Sequence, residues 1–161
     1  MPRIRADIVD VYVFRRGSGE VEFLQLLRAH EAGGALGGTW QPVMGHIEGD
    51  ETAAACAWRE LEEEVGLAKG DAALLGVWAL EQVHPYFLAG KDVIVLSPRF
   101  AAEVGKEWRP RLNAEHSDWR WVRAGDVARM FMWPGQGAAI AEILGWLLRE
   151  GALGAEGTRI G

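Results

Sequence analysis

Between residues 60 and 64 the chain places four glutamates, Glu60, Glu62, Glu63 and Glu64, directly after Arg59. On a helix, like charges three or four positions apart destabilise by a few tenths of a kcal/mol per pair. Such a run is either a solvated face or a face held against something positive. At about 100° per residue, Glu60 and Glu64 share one face, Glu63 flanks them and Glu62 points elsewhere. Three carboxylates on about a third of the circumference suit a hard divalent cation, Mg2+ or Mn2+ rather than zinc. His30, His46, His84 and His116 are too dispersed for a histidine cage. Cys56, the single cysteine, offers neither a disulfide nor a thiolate metal site and reads as a small buried helix residue.

The elements that must position these carboxylates follow from hydropathy. Residues 50–65 are expected to be helical, with an acidic first turn and Gly66 at the C-cap. Ala54, Ala57, Leu61 and Val65 form the stripe that packs this helix on a sheet. IVDVYVF (8–14) and VEFLQLL (21–27) read as a hairpin across RRGSGE. EAGGALGG (31–38) is a Gly-rich connection that matches no phosphate-binding loop pattern. WQPVMGHI (40–47) is a short strand leading into the acidic helix. LLGVWALEQV (74–83) and DVIVLSPRF (92–100) are further strands, the second a continuous buried run. RPRLNAEH (109–116) is a loop, SDWRWV (117–122) a strand, and residues 134–150 a second long helix opened by Pro134. The pattern predicts one domain over residues 1–150, of α/β class with a mixed central sheet, and a loose tail over 151–161.

The bulk numbers narrow the partners. Of 161 residues, 17 are basic and 23 acidic, a net charge of −6 that argues against a nucleic-acid polymer. No apolar run reaches the length of a membrane span and no signal peptide is evident, so a cytoplasmic protein without a membrane partner is expected. Monomer and homodimer stay open, because apolar faces such as that of residues 138–148 suit a core or a subunit contact equally.

Spacing around the acidic run adds a resemblance. Gly45, five residues, Glu51, seven residues, then Arg59-Glu60-Leu61-x-Glu63-Glu64-x-Gly66-Leu67 resembles the Nudix box, G-x5-E-x7-R-E-U-x-E-E-x-G-U, at every specified position. The resemblance implies an α/β/α sandwich whose strand–loop–helix site hydrolyses a nucleoside diphosphate linked to another group. It implies that Glu60, Glu63 and Glu64, with the Gly45 carbonyl, bind Mg2+ (or Mn2+), and that Glu51 and Arg59 orient them by ion pairing. The flanking segments WQPVMG, AEHSDWRWV and MFMWPGQGAAIAEI are similar to the dihydroneopterin triphosphate and dATP pyrophosphohydrolase branch. That likeness implies a small-molecule nucleoside or pterin triphosphate as substrate, Glu115 as a further metal ligand or general base, and His116 as its support or a substrate contact. A dinucleotide, a nucleotide sugar or an oxidised nucleotide is the alternative within the family, and a non-catalytic nucleotide-binding module the alternative outside it.

Four more side chains are candidate substrate contacts. Arg28, at a strand end, offers a guanidinium matched to phosphate. Trp40 and Trp133 border the expected site, where a pterin or purine ring could stack, and Gln41 could bond a base edge. Trp58, Trp78, Trp119, Trp121 and Trp146 fall where packing accounts for them.

Overall fold

The computed structural model describes residues 1–17, 19–30, 37–150, 152 and 155–161. Most of the expected Gly-rich connection (31–36) therefore lies outside the described residues.

The β-branched run after Asp7 forms strand β2 (Ile8–Arg16), following a short β1 (Arg3–Arg5), and it turns back as β3 (Val21–Arg28). The two pair only near the turn, from Phe14↔Phe23 to Arg16↔Val21. Towards its start β2 takes another neighbour. The WQPVMGHI segment is two strands, β4 (Trp40–Gln41) on β3 and β5 (Val43–His46) on β2, interrupted at Pro42. Proline has no N–H for the ladder, which accounts for the break. The loop before the acidic helix is thereby wedged into the open end of the hairpin.

Helix α1 (Ala53–Val65) follows β5. It starts later than expected and carries no acid in its first turn, because Thr52 is the N-cap, its hydroxyl accepting from Ala55 N–H at 3.1 Å. Asp50 and Glu51 stay in the loop. Gly66 closes the helix in the left-handed region at φ 70°, the conformation expected of a C-cap glycine.

Strands β6 (Leu74–Ala79), β7 (Tyr86–Leu88), β8 (Val93–Val95), β9 (Arg99–Val104) and β10 (His116–Arg123) complete the sheets. The main sheet runs β10-β3-β2-β9-β6, with β2 and β9 parallel and its other pairs antiparallel. A small sheet runs β1-β8-β7. Residues 92–100, expected as one strand, are thus two strands in different sheets. Ser97 turns the chain by donating to Ile8 O at 3.0 Å, and Pro98 cannot continue a ladder.

The period of two along β2 divides the core. Val9, Val11 and Val13 pack under α1 with Ala57, Leu61 and Val65. Tyr12 and Phe14 face the other way, onto helices α2 (Ala124–Met130) and α3 (Pro134–Glu142) through Val127, Phe131 and Ile140. The result is the α/β/α sandwich with a mixed sheet. The second long helix is shorter than expected. After Glu142 the chain widens into a π-helical turn at Ile143–Leu147, centred on Gly145, a poor helix former. The last residues are not loose: Ile160 N–H donates to Val77 O at 2.8 Å, Gly161 O accepts from Val77 N–H at 2.7 Å, and Ile160 packs on the core. The partly buried Ile160 side chain and the Arg159 guanidinium, which donates to Leu75 O at 2.9 Å, add to these backbone bonds to β6.

Candidate functional site

The hairpin's open end, α1 and the start of α3 enclose a cleft of about 910 Å³. On its floor, β5 brings Gly45 against α1. A Cβ on Gly45 would stand 1.8 Å from Glu60 Oε1, so only glycine lets that carboxylate lie on the loop. Glu60 and Glu64 sit beside the apolar stripe of α1 and are buried, at 7% and 1% exposure. Glu64 Oε2 accepts from Met44 N–H at 3.4 Å. Burial holds the Glu64 carboxyl well above the usual range, and the charges of Glu60 and Glu115 raise it further. The nearest ring nitrogen, His116 Nε2, is 4.0 Å away, but burial lowers that imidazole to about 4 and leaves it neutral near pH 7. Glu64 therefore has no cationic hydrogen-bond partner among the described residues.

Arg59 ties the loop to the helix. Its guanidinium donates to Glu51 at 3.1 and 3.0 Å, to Glu60 at 2.7 Å, to Glu63 at 3.2 Å and to the His46 carbonyl at 2.9 Å. Glu51 also accepts from Glu48 N–H at 3.1 Å. Bonding to Arg59 holds Glu51 below the usual carboxylate range, whereas burial raises Glu60 despite the same arginine. The expected orienting roles of Glu51 and Arg59 thus have a geometric basis. The repulsion within the run is relieved at Glu60 and Glu63 by Arg59; of the three glutamates of the run that line the cleft, Glu64 is the one without a cation bonded to it among the described residues. The Cys56 thiol, pushed up to about 12 by burial, carries no reactive thiolate.

The other expected residues divide. Glu115 lines the cleft and pairs with Arg28 at 3.1 Å, so the candidate base and the candidate phosphate contact hold each other. Gln41 lines the cleft but is buried, its amide nitrogen 3.1 Å from His116 Nε2. His116 lies beneath the surface as support for Gln41. Trp133 stands on the cleft rim, half exposed. Trp40 does not line the cleft. The Arg120 guanidinium lies 3.8 Å from its ring centroid and covers it, which removes the expected stacking platform.

Sequence reasoning missed the far wall. Asp10 of β2 and Arg99 of β9, facing each other in register, line the cleft together with Tyr86 of β7 and Gln136 of α3. Asp10 and Arg99 are buried and 3.7 Å apart. Burial raises the Asp10 carboxyl to about 6, with Arg99 pulling the other way. A charged residue inside an otherwise apolar strand was the available signal.

The donor set fits a hard dication. A buried carboxylate lacking a bonded cation, a second carboxylate beside it and a loop that presses Gly45 on Glu60 and turns the Met44 N–H to Glu64 form an all-oxygen site. As placed, no three His, Cys, Asp or Glu side chains among the described residues stand close enough to hold a metal. The Arg59 hydrogen bonds to Glu60 and Glu63 are the contacts that a dication would have to exchange.

Fold and acidic cleft together define a member of the NUDIX family: the NUDIX domain matches residues 4–143, and the chain belongs to that family. An octanoyltransferase of Myxococcus xanthus is 33% identical over 116 residues, 71% of this chain and 30% of that protein. An RNA pyrophosphohydrolase of Legionella pneumophila is 34% identical over 95 residues, 52% of this chain and 54% of that protein. The chain thus spans about half the length of the second relative and less of the first. The structure of the E. coli dihydroneopterin triphosphate pyrophosphohydrolase superposes with a TM-score of 0.71 at 20% identity, covering 88% of this chain and 97% of that one. At that identity the likeness speaks for the fold.

Proposed function

We propose that this protein is a Mg2+-dependent pyrophosphohydrolase that cuts a nucleoside or pterin triphosphate into a monophosphate and pyrophosphate, with Mn2+ able to replace Mg2+. The observation that carries the reading is Glu64, a buried carboxylate with no bonded cation, set beside Glu60 and against the Gly45 turn. Glu60, Glu63, Glu64 and the Gly45 carbonyl would hold the metal, with Glu115 at the edge. When bound, the ion supplies charge to the diphosphate and makes a water more acidic. The chain's own residues supply the rest. Arg59 and Glu51 fix the loop so that the carboxylates keep their places. Arg28, released from Glu115, would contact a phosphate, and the freed Glu115 would accept the proton of the attacking water as the P–O bridge breaks and pyrophosphate leaves.

A panel of nucleoside and pterin triphosphates, incubated with and without Mg2+ and read out as product identity, tests this. Pyrophosphate release that depends on the metal is expected, with a loss of 100-fold or more (order of magnitude) in Glu64→Gln or Glu63→Gln while the fold survives. Turnover persisting in both variants would assign the chemistry to other residues. No release of pyrophosphate from the ordinary triphosphates, with turnover of a dinucleotide, a nucleotide sugar or an oxidised nucleotide added to the panel, would favour the second reading. RNA, which the name of the Legionella relative suggests, is disfavoured by the net charge of −6. Nucleotide binding without any turnover would leave the non-catalytic module.

A further inference from the structure

The cleft has a second polar feature, away from the acidic helix. Arg99 is 97% buried by its 3% exposure, yet its Nε and Nη1 have no hydrogen-bond partner among the described residues. Both Arg99 and Asp10 line the cleft, on the face of the sheet that looks towards α3. Asp10 accepts from Tyr12 O–H at 3.4 Å and stands 3.7 Å from Arg99 Nε, too far for a hydrogen bond. Two buried donors left over beside a carboxylate make a costly arrangement unless a ligand completes it.

We infer that Asp10 and Arg99 read the edge of a planar heterocycle carrying adjacent keto and amino groups, the 2-amino-4-oxo pyrimidine edge that guanine and pterin share. This rests on the proposed hydrolase reading and names the ring of its substrate. A phosphate is a poor occupant, because Asp10 offsets the arginine's charge. A neutral ring fits. Its carbonyl oxygen has a lone pair for Nη1–H of Arg99, whose Nε lies on the Asp10 side, and its neighbouring N–H groups donate to the Asp10 carboxylate. Adenine presents an amine and a ring-nitrogen lone pair, and the lone pair would face the carboxylate.

The position suits this role. Met44, Asp10 and Arg99 are neighbours in register on β5, β2 and β9. Arg99 is therefore two strand spacings, roughly 10 Å, from the residue whose N–H touches Glu64. That separation leaves room for a sugar or polyol between ring and phosphates. Tyr86 and Trp133 line the same end and offer aromatic faces to a ring. Gly135, two residues after Trp133, keeps the guanidinium in place, since a Cβ there would stand 2.9 Å from Arg99 Nη2.

Calorimetric binding of guanosine, neopterin and adenosine monophosphates to the full chain with Mg2+ tests the inference without requiring turnover. The first two are expected to bind at least about tenfold tighter than the third, and the tighter of them identifies the source of the ring. Asp10→Asn trades an acceptor oxygen for an amide and should bring that ratio to within about twofold of unity. Gly135→Ala, which crowds Arg99 from the start of a surface helix, should cut it severalfold and decides the matter if the buried variant fails to fold. Affinities that are equal or undetectable for all three, or a preference that survives in whichever variants fold, would overturn the inference. Failure of the hydrolase reading looks different: no pyrophosphate is released although the ring preference is intact.

Discussion

Glu64 concentrates the energetic tension of the site. Its carboxylate is buried, and burial keeps its folded pKa above the ordinary 4.5. The fold therefore favours the neutral form. Stability from this group is fully present below about pH 4.5 and is lost as pH rises through the raised value. Glu64→Gln removes the charge and keeps the shape. In chelator-treated protein the variant should melt higher than wild type at pH 8, with the difference shrinking towards pH 4, while hydrolysis collapses. Melting curves at both pH values check this. A variant that is less stable at pH 8 would mean that the carboxylate is compensated by a contact other than a metal. Asp10, raised to about 6, adds to the same trend in the metal-free chain, since its contribution is likewise lost as pH rises through 6.

At the scale of the element, α1 holds the carboxylates in register, and its ends are set by single residues. Gly66 adopts φ 70°, and a Cβ there would also meet Arg111 Cβ at 2.9 Å. Gly66→Ala should cost about 1–2 kcal/mol from the left-handed backbone alone. For a chain of this size that lowers the melting temperature by roughly 2–4 °C per kcal/mol. Differential scanning calorimetry measures it, and an unchanged melt would show that the cap relaxes to another conformation. Strand β2 is the other decisive element. It gives one half of its edge to β3 and the other to β5, so the hairpin splays where the loop before α1 enters.

For the whole molecule, metal binding and folding stability are linked. An ion that binds only the folded chain stabilises it by about 2.7 kcal/mol at 100 times its Kd. Mg2+ should therefore raise the melting temperature of wild type, more at pH 8 than at pH 5, where protons compete for Glu60 and Glu64. The increment should be much reduced in Glu64→Gln. Thermal scans across a Mg2+ titration at the two pH values read this out, and a Mg2+ increment that is independent of pH would place the ion elsewhere. The ion pairs Arg59–Glu51 and Arg59–Glu63 are partly exposed, and salt should weaken them without abolishing the site.

The amino-acid sequence alone determined the acidic helix, its Gly66 end and the side chains that share one face with Glu60 and Glu64, whereas its start lies at the Thr52 cap and not at Asp50. Helical periodicity and caps are local, so a stretch of 23 residues suffices to specify them. The strands built on β-branched runs were legible too, but the short β1 and β7 of the small sheet were not. Strand order was not, which is why residues 92–100 were read through the break at Pro98 and Arg99 was passed over as the end of an apolar run. Only the tertiary structure set Asp10, Arg99 and Gln136 on one wall, from segments up to 126 positions apart. It also laid Arg120 over Trp40 and joined Arg28 to Glu115. Sheet pairing is non-local: which strands become neighbours depends on how the whole core is buried, and no spacing within a segment encodes it.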